Sequence, residues 1–497
     1  MNKTKMNSFS IALLLFVAVF GLTNIPNNYA SLGNSAIGWF ILLGVYFIPL
    51  ALIIGELSSQ NTESKSGIFG WVNLGLSEKW AFIASWSYFV VNIFYLPMLA
   101  SRIPLYIAWT FSPVKYDLDQ IVADGGHVAG ILNASDDQAL FLGLTFLALI
   151  VTLILGLYFE KFFSKGAKLI GWLSLFVTGL FIVMAFGCVL INGTPIANPV
   201  TLSSVTPHVD FTSLSTFAWI VFAIAGIETI SNYTPLVKDP DKTIPKASIS
   251  AAVLVIGAYV IGFIALAFVL TPGQVPLESM ENILMIMYSQ VGSVFGLGGL
   301  FLRLITFSYL LISFTAVVLW LNATVKTLFE EFPEGIISER ISKYKINDAP
   351  IFGLLVTMFL ILVLMIMSSV GQFSNVYYTL YDMTTVAVLL PYVLITIGFI
   401  AFCMKKDIKL NVIKSKSAGI AMSVFILVIT LISMVFSIFD LSIGIGPDFF
   451  NWALTSGGGL LYFMLVGVAI YSIKLNKKIG IVATIIIFIL PLFLFLI

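Results

Sequence analysis

Phe222-Ala223-Ile224-Ala225-Gly226-Ile227-Glu228-Thr229-Ile230-Ser231-Asn232-Tyr233 is the stretch on which the fold turns. It lies in an apolar segment near 214–236, yet it holds a glycine and a carboxylate roughly 15 residues from the outer end; at ~1.5 Å per residue that is the bilayer midplane. The first apolar segment carries a matching interruption, Gly21-Leu22-Thr23-Asn24-Ile25-Pro26-Asn27-Asn28. Thr23 and Asn24 lie roughly 15 residues from that segment's inner start, so the two interruptions share a depth. Glycine and proline cost about 1 and 3 kcal/mol in a helix interior. The backbone groups they free must be satisfied by protein or by a bound solute. A single such residue in a membrane helix is ordinarily packing or a kink. Two breaks at one depth, five spans apart and entered from opposite sides, are the pattern of an inverted-repeat transporter. Half-helix N-termini there aim amide dipoles at an anionic group, and exposed carbonyls accept an ammonium or a cation.

Composition requires a bilayer around these breaks. Of 497 residues 59% are hydrophobic and 10% charged, with a mean hydropathy of +1.05. A soluble chain carries roughly a quarter charged residues. Apolar segments read as helices near 8–33, 36–58, 80–112, 138–158, 168–191, 214–236, 247–271, 292–325, 350–369, 374–402, 417–439 and 453–473, with a further stretch at 480–497. Lys3 and Lys5 before Ile11–Phe20 resemble a signal peptide, but the many later apolar segments make this the first span. Lys115 is the one basic residue assigned to an outer loop, and Arg102 and Arg303 fall inside spans; the others of the 25 lie on the inner side once the N-terminus is placed in the cytoplasm. That asymmetry fixes the register of twelve alternating spans.

The net charge of +1 says nothing about nucleic acid, but the chain has no basic arm or aromatic-basic patch, and no nucleic-acid partner is expected. Two cysteines and two histidines, in separate parts of the chain, leave no material for a metal site or a Ser-His-Asp triad. No phosphate-cradling Gly-x-x-x-x-Gly-Lys-Ser/Thr loop occurs, so a gradient rather than ATP drives the expected transport. No cofactor is expected.

The intramembrane charges are the next candidates. A carboxylate at the depth of Glu228 is costly unless paired, protonated or solvated. It serves either as a proton-linked or gating group, or as a lock between helices. Arg303 and Asp382, each roughly 10 residues inside its span by the same ~1.5 Å rise, could pair as a gate or as a purely structural bridge. Arg102, late in span three, either snorkels outward or steers a carboxylate into the outer vestibule. Glu56, at the inner end of span two, is expected to anchor a loop. Phe222 is either core or a lid that closes over an ammonium by cation–π contact.

These residues carry a family resemblance. Phe222-Ala-Ile-Ala-Gly-Ile-Glu-Thr resembles the sixth-span signature of the amino acid–polyamine–organocation superfamily. Lys238-Asp-Pro-Asp-Lys-Thr-Ile-Pro-Lys246 resembles the loop after it, and Glu56 with Ser66-Gly-Ile-Phe-Gly-Trp-Val72 resembles the stretch between spans two and three. The chain is most similar to the glutamate/γ-aminobutyrate antiporter family, which includes bacterial inner-membrane permeases. The resemblance implies an all-α membrane protein of twelve helices: residues 1–191 and 192–402 as two five-helix inverted repeats, 403–479 as helices 11 and 12, and 480–497 as a thirteenth hydrophobic helix. It implies an amino acid or amine bound at the breaks by Thr23, Asn24, Ile25, Phe222, Ala225, Gly226 and Ile227, with exchange or proton coupling. Glu228, Arg303, Asp382 and Arg102 are then the coupling or gating set. Two departures stand out. The first break lacks the superfamily's common Gly-Ser/Thr-Gly, and the apolar C-terminus cannot form the soluble plug of the acid-resistance antiporters.

The function expected is a secondary transporter in the cell membrane, its partners the solute, protons and lipid. The alternative is a transport-inactive sensor or scaffold of the same fold. A membrane enzyme lacks any recognisable nucleophile–base pair.

Overall fold

The computed structural model describes residues 6–62, 66–111, 138–210, 220–221, 223–237, 239–275, 282–347, 349–369, 383–384 and 386–494. Among these the chain is nearly all helical; the single sheet is the antiparallel pair Lys345–Ile346 and Ala349–Pro350. Nine described helices are long and apolar enough to cross a bilayer, and a bent pair makes a tenth span. The chain is a multi-pass membrane protein. Parts of expected spans six and ten, including Phe222 and Asp382, lie outside the described residues.

Helix α1 (Ser8–Val19) begins where the Asn7 side chain accepts from the Ser10 amide. Every residue from Ser10 to Val19 is buried. A helix apolar on all sides faces either lipid or other helices, and α1 is surrounded by other helices. It packs against α8 (Phe159–Leu190) and α9 (Pro240–Val269), while α9 also runs along α3 (Ser35–Gln60). After α1 the chain bends by 51° into α2 (Asn24–Leu32). The expected break in span one is therefore present.

The segment read from the sequence as a loop after span two contains a short buried helix, α4 (Ile68–Gly75). The Ser66 hydroxyl accepts from the Gly70 amide at its start. At its end Gly75 meets the Gly398 carbonyl of α13 (Leu390–Met404) so closely that a Cβ would overlap it. Span three is jointed at Ser101 into α5 (Glu78–Ala100) and α6 (Arg102–Phe111). Pro97 and Pro104 each remove an amide donor there. The remaining described spans include α7 (Gln138–Leu157), α12 (Ile351–Ser369), α14 (Lys416–Ile438) and α15 (Pro447–Leu475). The terminal segment forms α16 (Lys477–Leu494), which folds back on α15.

Span eight departs from expectation. The segment 292–325 is divided into α10 (Ile283–Val294) and α11 (Gly299–Phe329). Gly296, with φ of +65°, followed by Gly298 and Gly299, ends one helix and restarts the next. Arg303 therefore stands on the second turn of α11 and is exposed, rather than deep inside a span.

Glu56 is fully buried, and its carboxylate closes the loop before α14. It accepts from the amides of Asn411 (2.8 Å), Val412 (2.7 Å) and Ile413 (3.0 Å), and from Gln60 Nε2 (2.8 Å). Several donors converging on one carboxylate make a strong, charge-assisted anchor. Glu56→Ala leaves those amides without an acceptor and is expected to destabilise the fold by about 3 kcal/mol or more, read as a lower Tm in detergent; an unchanged Tm would contradict the anchor.

Candidate functional site

The first break forms because Phe20 leaves helical backbone, at φ −80° and ψ 113°. The groups it frees find named partners. The Ala18 carbonyl accepts from Trp320 Nε1 on α11 at 3.0 Å. The Gly21 amide and the Asn24 side-chain amide both donate to the Tyr259 hydroxyl on α9, at 3.2 and 2.9 Å. The same hydroxyl donates to the Ala223 carbonyl at 3.0 Å. A phenol offers one donor and two acceptor positions, and here all are used. One oxygen therefore ties the first break to the second.

The second break is a run of turns over Ala223–Gly226, followed by a 3-10 segment, Ile227–Leu236. Gly226 has φ of +117°, a conformation glycine adopts at little cost. A Cβ there would meet the Ala18 carbonyl and the Trp320 ring. The Glu228 carboxylate, 3% exposed, turns back to accept from the Gly226 amide at 3.0 Å through both oxygens, and from the Tyr392 hydroxyl at 3.0 Å. The Thr229 hydroxyl closes the turn on the Gly226 carbonyl at 2.7 Å.

Between the breaks lies a cavity of about 550 Å3. Its floor is residues 17–24 with Asn27, Asn28 and Ser31; Ala223 and Ala225 of the second break also face it. Tyr95, Tyr106, Tyr309 and Trp320 form an aromatic wall, with Tyr95 set edge-on to Trp320 at 5.1 Å. Thr23 Oγ1 and Asn27 Oδ1 are buried without a hydrogen-bond partner among the described residues. Buried polar atoms are nearly always paired, so these two oxygens are unspent acceptors on residues that line the cavity.

The expected site residues divide on the structure. Thr23, Asn24, Ala225 and Arg102 line the cavity. Gly226 and Glu228 shape the second break from behind it. Ile25 is fully buried against Gly262 of α9, and Ile227 is fully buried as well; neither lines the cavity. Arg303 does not line it either, and Phe222 and Asp382 lie outside the described residues. Sequence reasoning missed Tyr259, Trp320 and Tyr95. A hydroxyl or indole N–H in a span that otherwise offers hydrocarbon needs a partner, and that requirement was the available signal.

Comparisons with known proteins bear on the family and the fold. The family model described as amino acid permease matches residues 6–442. The chain is 28% identical over 416 residues to the aspartate/glutamate permease AcaP of Lactococcus lactis subsp. cremoris, spanning 80% of each protein. It is 28% identical over 261 residues, 52% of this chain and 50% of the other, to AguD of Lactococcus lactis subsp. lactis, named as a probable agmatine/putrescine antiporter. Among solved structures MhsT, crystallised with L-phenylalanine, shares the fold with a TM-score of 0.59 at 14% identity, over 88% of this chain and 100% of that one.

Three variants test the geometry. Tyr259→Phe removes the shared oxygen and is expected to cost about 1–3 kcal/mol, seen as a lower Tm in detergent. Glu228→Gln retains an acceptor for the Gly226 amide, whereas Glu228→Ala does not. The alanine variant is expected to show the larger fall in Tm; equal falls would count against the role given to that hydrogen bond.

Proposed function

The chain belongs to the amino acid permease family, and on that premise we propose that it is a secondary active transporter of an amino acid or amine. Transport runs by alternating access across the cell membrane, as an exchanger or with protons, and the N-terminus lies in the cytoplasm. The chain carries twelve spans, with 1–191 and 192–402 as the inverted repeats. The observation that carries this reading is the cavity itself. Its volume of about 550 Å3 is within the ~300–1,000 Å3 of small-molecule pockets, and both broken helices contribute to its wall.

The chemistry of the wall suits a zwitterion. Thr23 Oγ1 and Asn27 Oδ1 are acceptors for an ammonium, and the aromatic wall adds cation–π attraction. The Leu22 and Thr23 amides of the first break, which the Tyr259 bridge does not use, are donors for a carboxylate. Glu228 serves the gate rather than the solute, holding Gly226 in its left-handed conformation against the end of α1. When the two breaks part, the Tyr259 bridge and the Trp320–Ala18 contact must open together. The relatives leave the solute's charge open, since one is named for anionic amino acids and another for cationic amines.

Purified protein in liposomes is expected to take up labelled amino acid or amine. Gly226→Leu forces a side chain into the Ala18 carbonyl and the Trp320 ring and is expected to reduce uptake by at least about tenfold, roughly 1.4 kcal/mol of barrier. Thr23→Val, similar in shape but without the hydroxyl, is expected to weaken solute binding by a similar factor. Uptake unaffected by both would remove the site from the position assigned to it.

A further inference from the structure

The motif at 66–72 builds a contact that the solute site does not use. Gly67, the N-cap of α4, has φ of +56° and stands against Ser231 in the 3-10 segment Ile227–Leu236. A side-chain carbon at Gly67 would lie 2.5 Å from Ser231 Oγ and 3.0 Å from its Cβ, so only a hydrogen fits between α4 and the second break. α4 itself is held firmly. Gly75 presses on the Gly398 carbonyl, and Lys405 Nζ donates to the Leu74 carbonyl at 2.6 Å, which joins α4 to α13. α13 also carries Tyr392, whose hydroxyl donates to Glu228. α4 and α13 thus form one seat for the segment Ile227–Leu236. Its flanking residues are tied elsewhere: Val237 bridges Met6 just before α1, and the Tyr259 hydroxyl on α9 holds Ala223. The cavity reaches toward α2 and α6, through Asn28, Ser31, Arg102 and Tyr106. No described residue of α4 or of Ile227–Leu236 lines it, so the site is closed on the α4 side.

We propose that α4 is the seat of the cytoplasmic gate, and that the Gly67–Ser231 contact sets the balance between the gate closed and the gate open. The inference rests on the transporter reading above and deepens it by naming where the site is shut. Packed contacts are bistable rather than continuously deformable, so the segment Ile227–Leu236 is either seated on α4 or lifted from it. A side chain at Gly67 clashes only while the segment is seated. It therefore destabilises the closed gate and leaves the open one untouched. The population moves toward the open gate, and the apparent affinity for solute arriving from the α2 side falls with the fraction of closed protein. The left-handed backbone at Gly67 already favours glycine. The contact with Ser231 is a second, independent reason, and substitutions on the Ser231 side separate the two.

The test is labelling of the full chain carrying Ala225→Cys, a cavity position, by a membrane-impermeant thiol reagent in right-side-out and inside-out vesicles. Cys188 and Cys403 are buried and give little background. With Gly67 in place, labelling is expected from the outer face and to be slow from the inner face. Gly67→Ala is expected to raise the inner-face rate by about tenfold, as overpacking of a tight contact does to a two-state balance. Ser231→Val enlarges the same contact without touching the Gly67 backbone and is expected to act in the same direction. Ser231→Gly, added to Gly67→Ala, empties the space again and is expected to bring the rate most of the way back. Uptake and solute-induced rise in Tm are read in parallel over a panel of amino acids and amines. An inner-face rate unchanged by both Gly67→Ala and Ser231→Val overturns the gate while leaving the transporter reading intact. So does a Gly67→Ala effect that Ser231→Gly does not reduce, since that effect is backbone strain. A protein with wild-type Gly67 and Ser231 that neither binds nor carries any solute of the panel overturns both.

Discussion

A single phenol oxygen holds the centre of this protein together. Hydrocarbon offers no hydrogen bonds, so every backbone group freed by a broken helix needs a partner inside the protein. Tyr259 supplies one for the Gly21 amide, the Asn24 side chain and the Ala223 carbonyl together. The two breaks are consequently stabilised as a pair, and α9, which carries Tyr259, is packed against both α1 and α3.

Around that oxygen the site is built from contacts that hold shape and contacts left open. Gly226 and Glu228 belong to the first kind. The carboxylate satisfies the amide of a residue two positions earlier, and the Tyr392 hydroxyl donates to it as well. Such a group fixes backbone and has little capacity left for a solute. Thr23, Asn27 and Arg102 belong to the second kind, facing the cavity with unspent hydrogen-bonding or charge.

The joint at Ser101 and the glycine cluster at 296–299 show how small local features redistribute charge. Both arginines read from the sequence as intramembrane occupy early positions on new helices, Arg102 on α6 and Arg303 on α11. One turns into the cavity and the other is exposed.

The sequence by itself determined the membrane, from its apolar composition, and the places where two spans break, from glycine, proline and turn-prone side chains within apolar runs. It also identified Glu56 as a loop anchor, because a carboxylate at a helix end near the interface has few other uses. These are properties of short windows of chain. The tertiary structure decided what the breaks are tied to and which charges line the cavity. Tyr259 meets Gly21 across 238 positions, and Trp320 meets Ala18 across 302. No local pattern encodes such a pairing, since it depends on helix rotation and depth set by packing of the whole bundle. For that reason Glu228, prominent in the sequence, stands behind the cavity, while Arg102 stands in its wall.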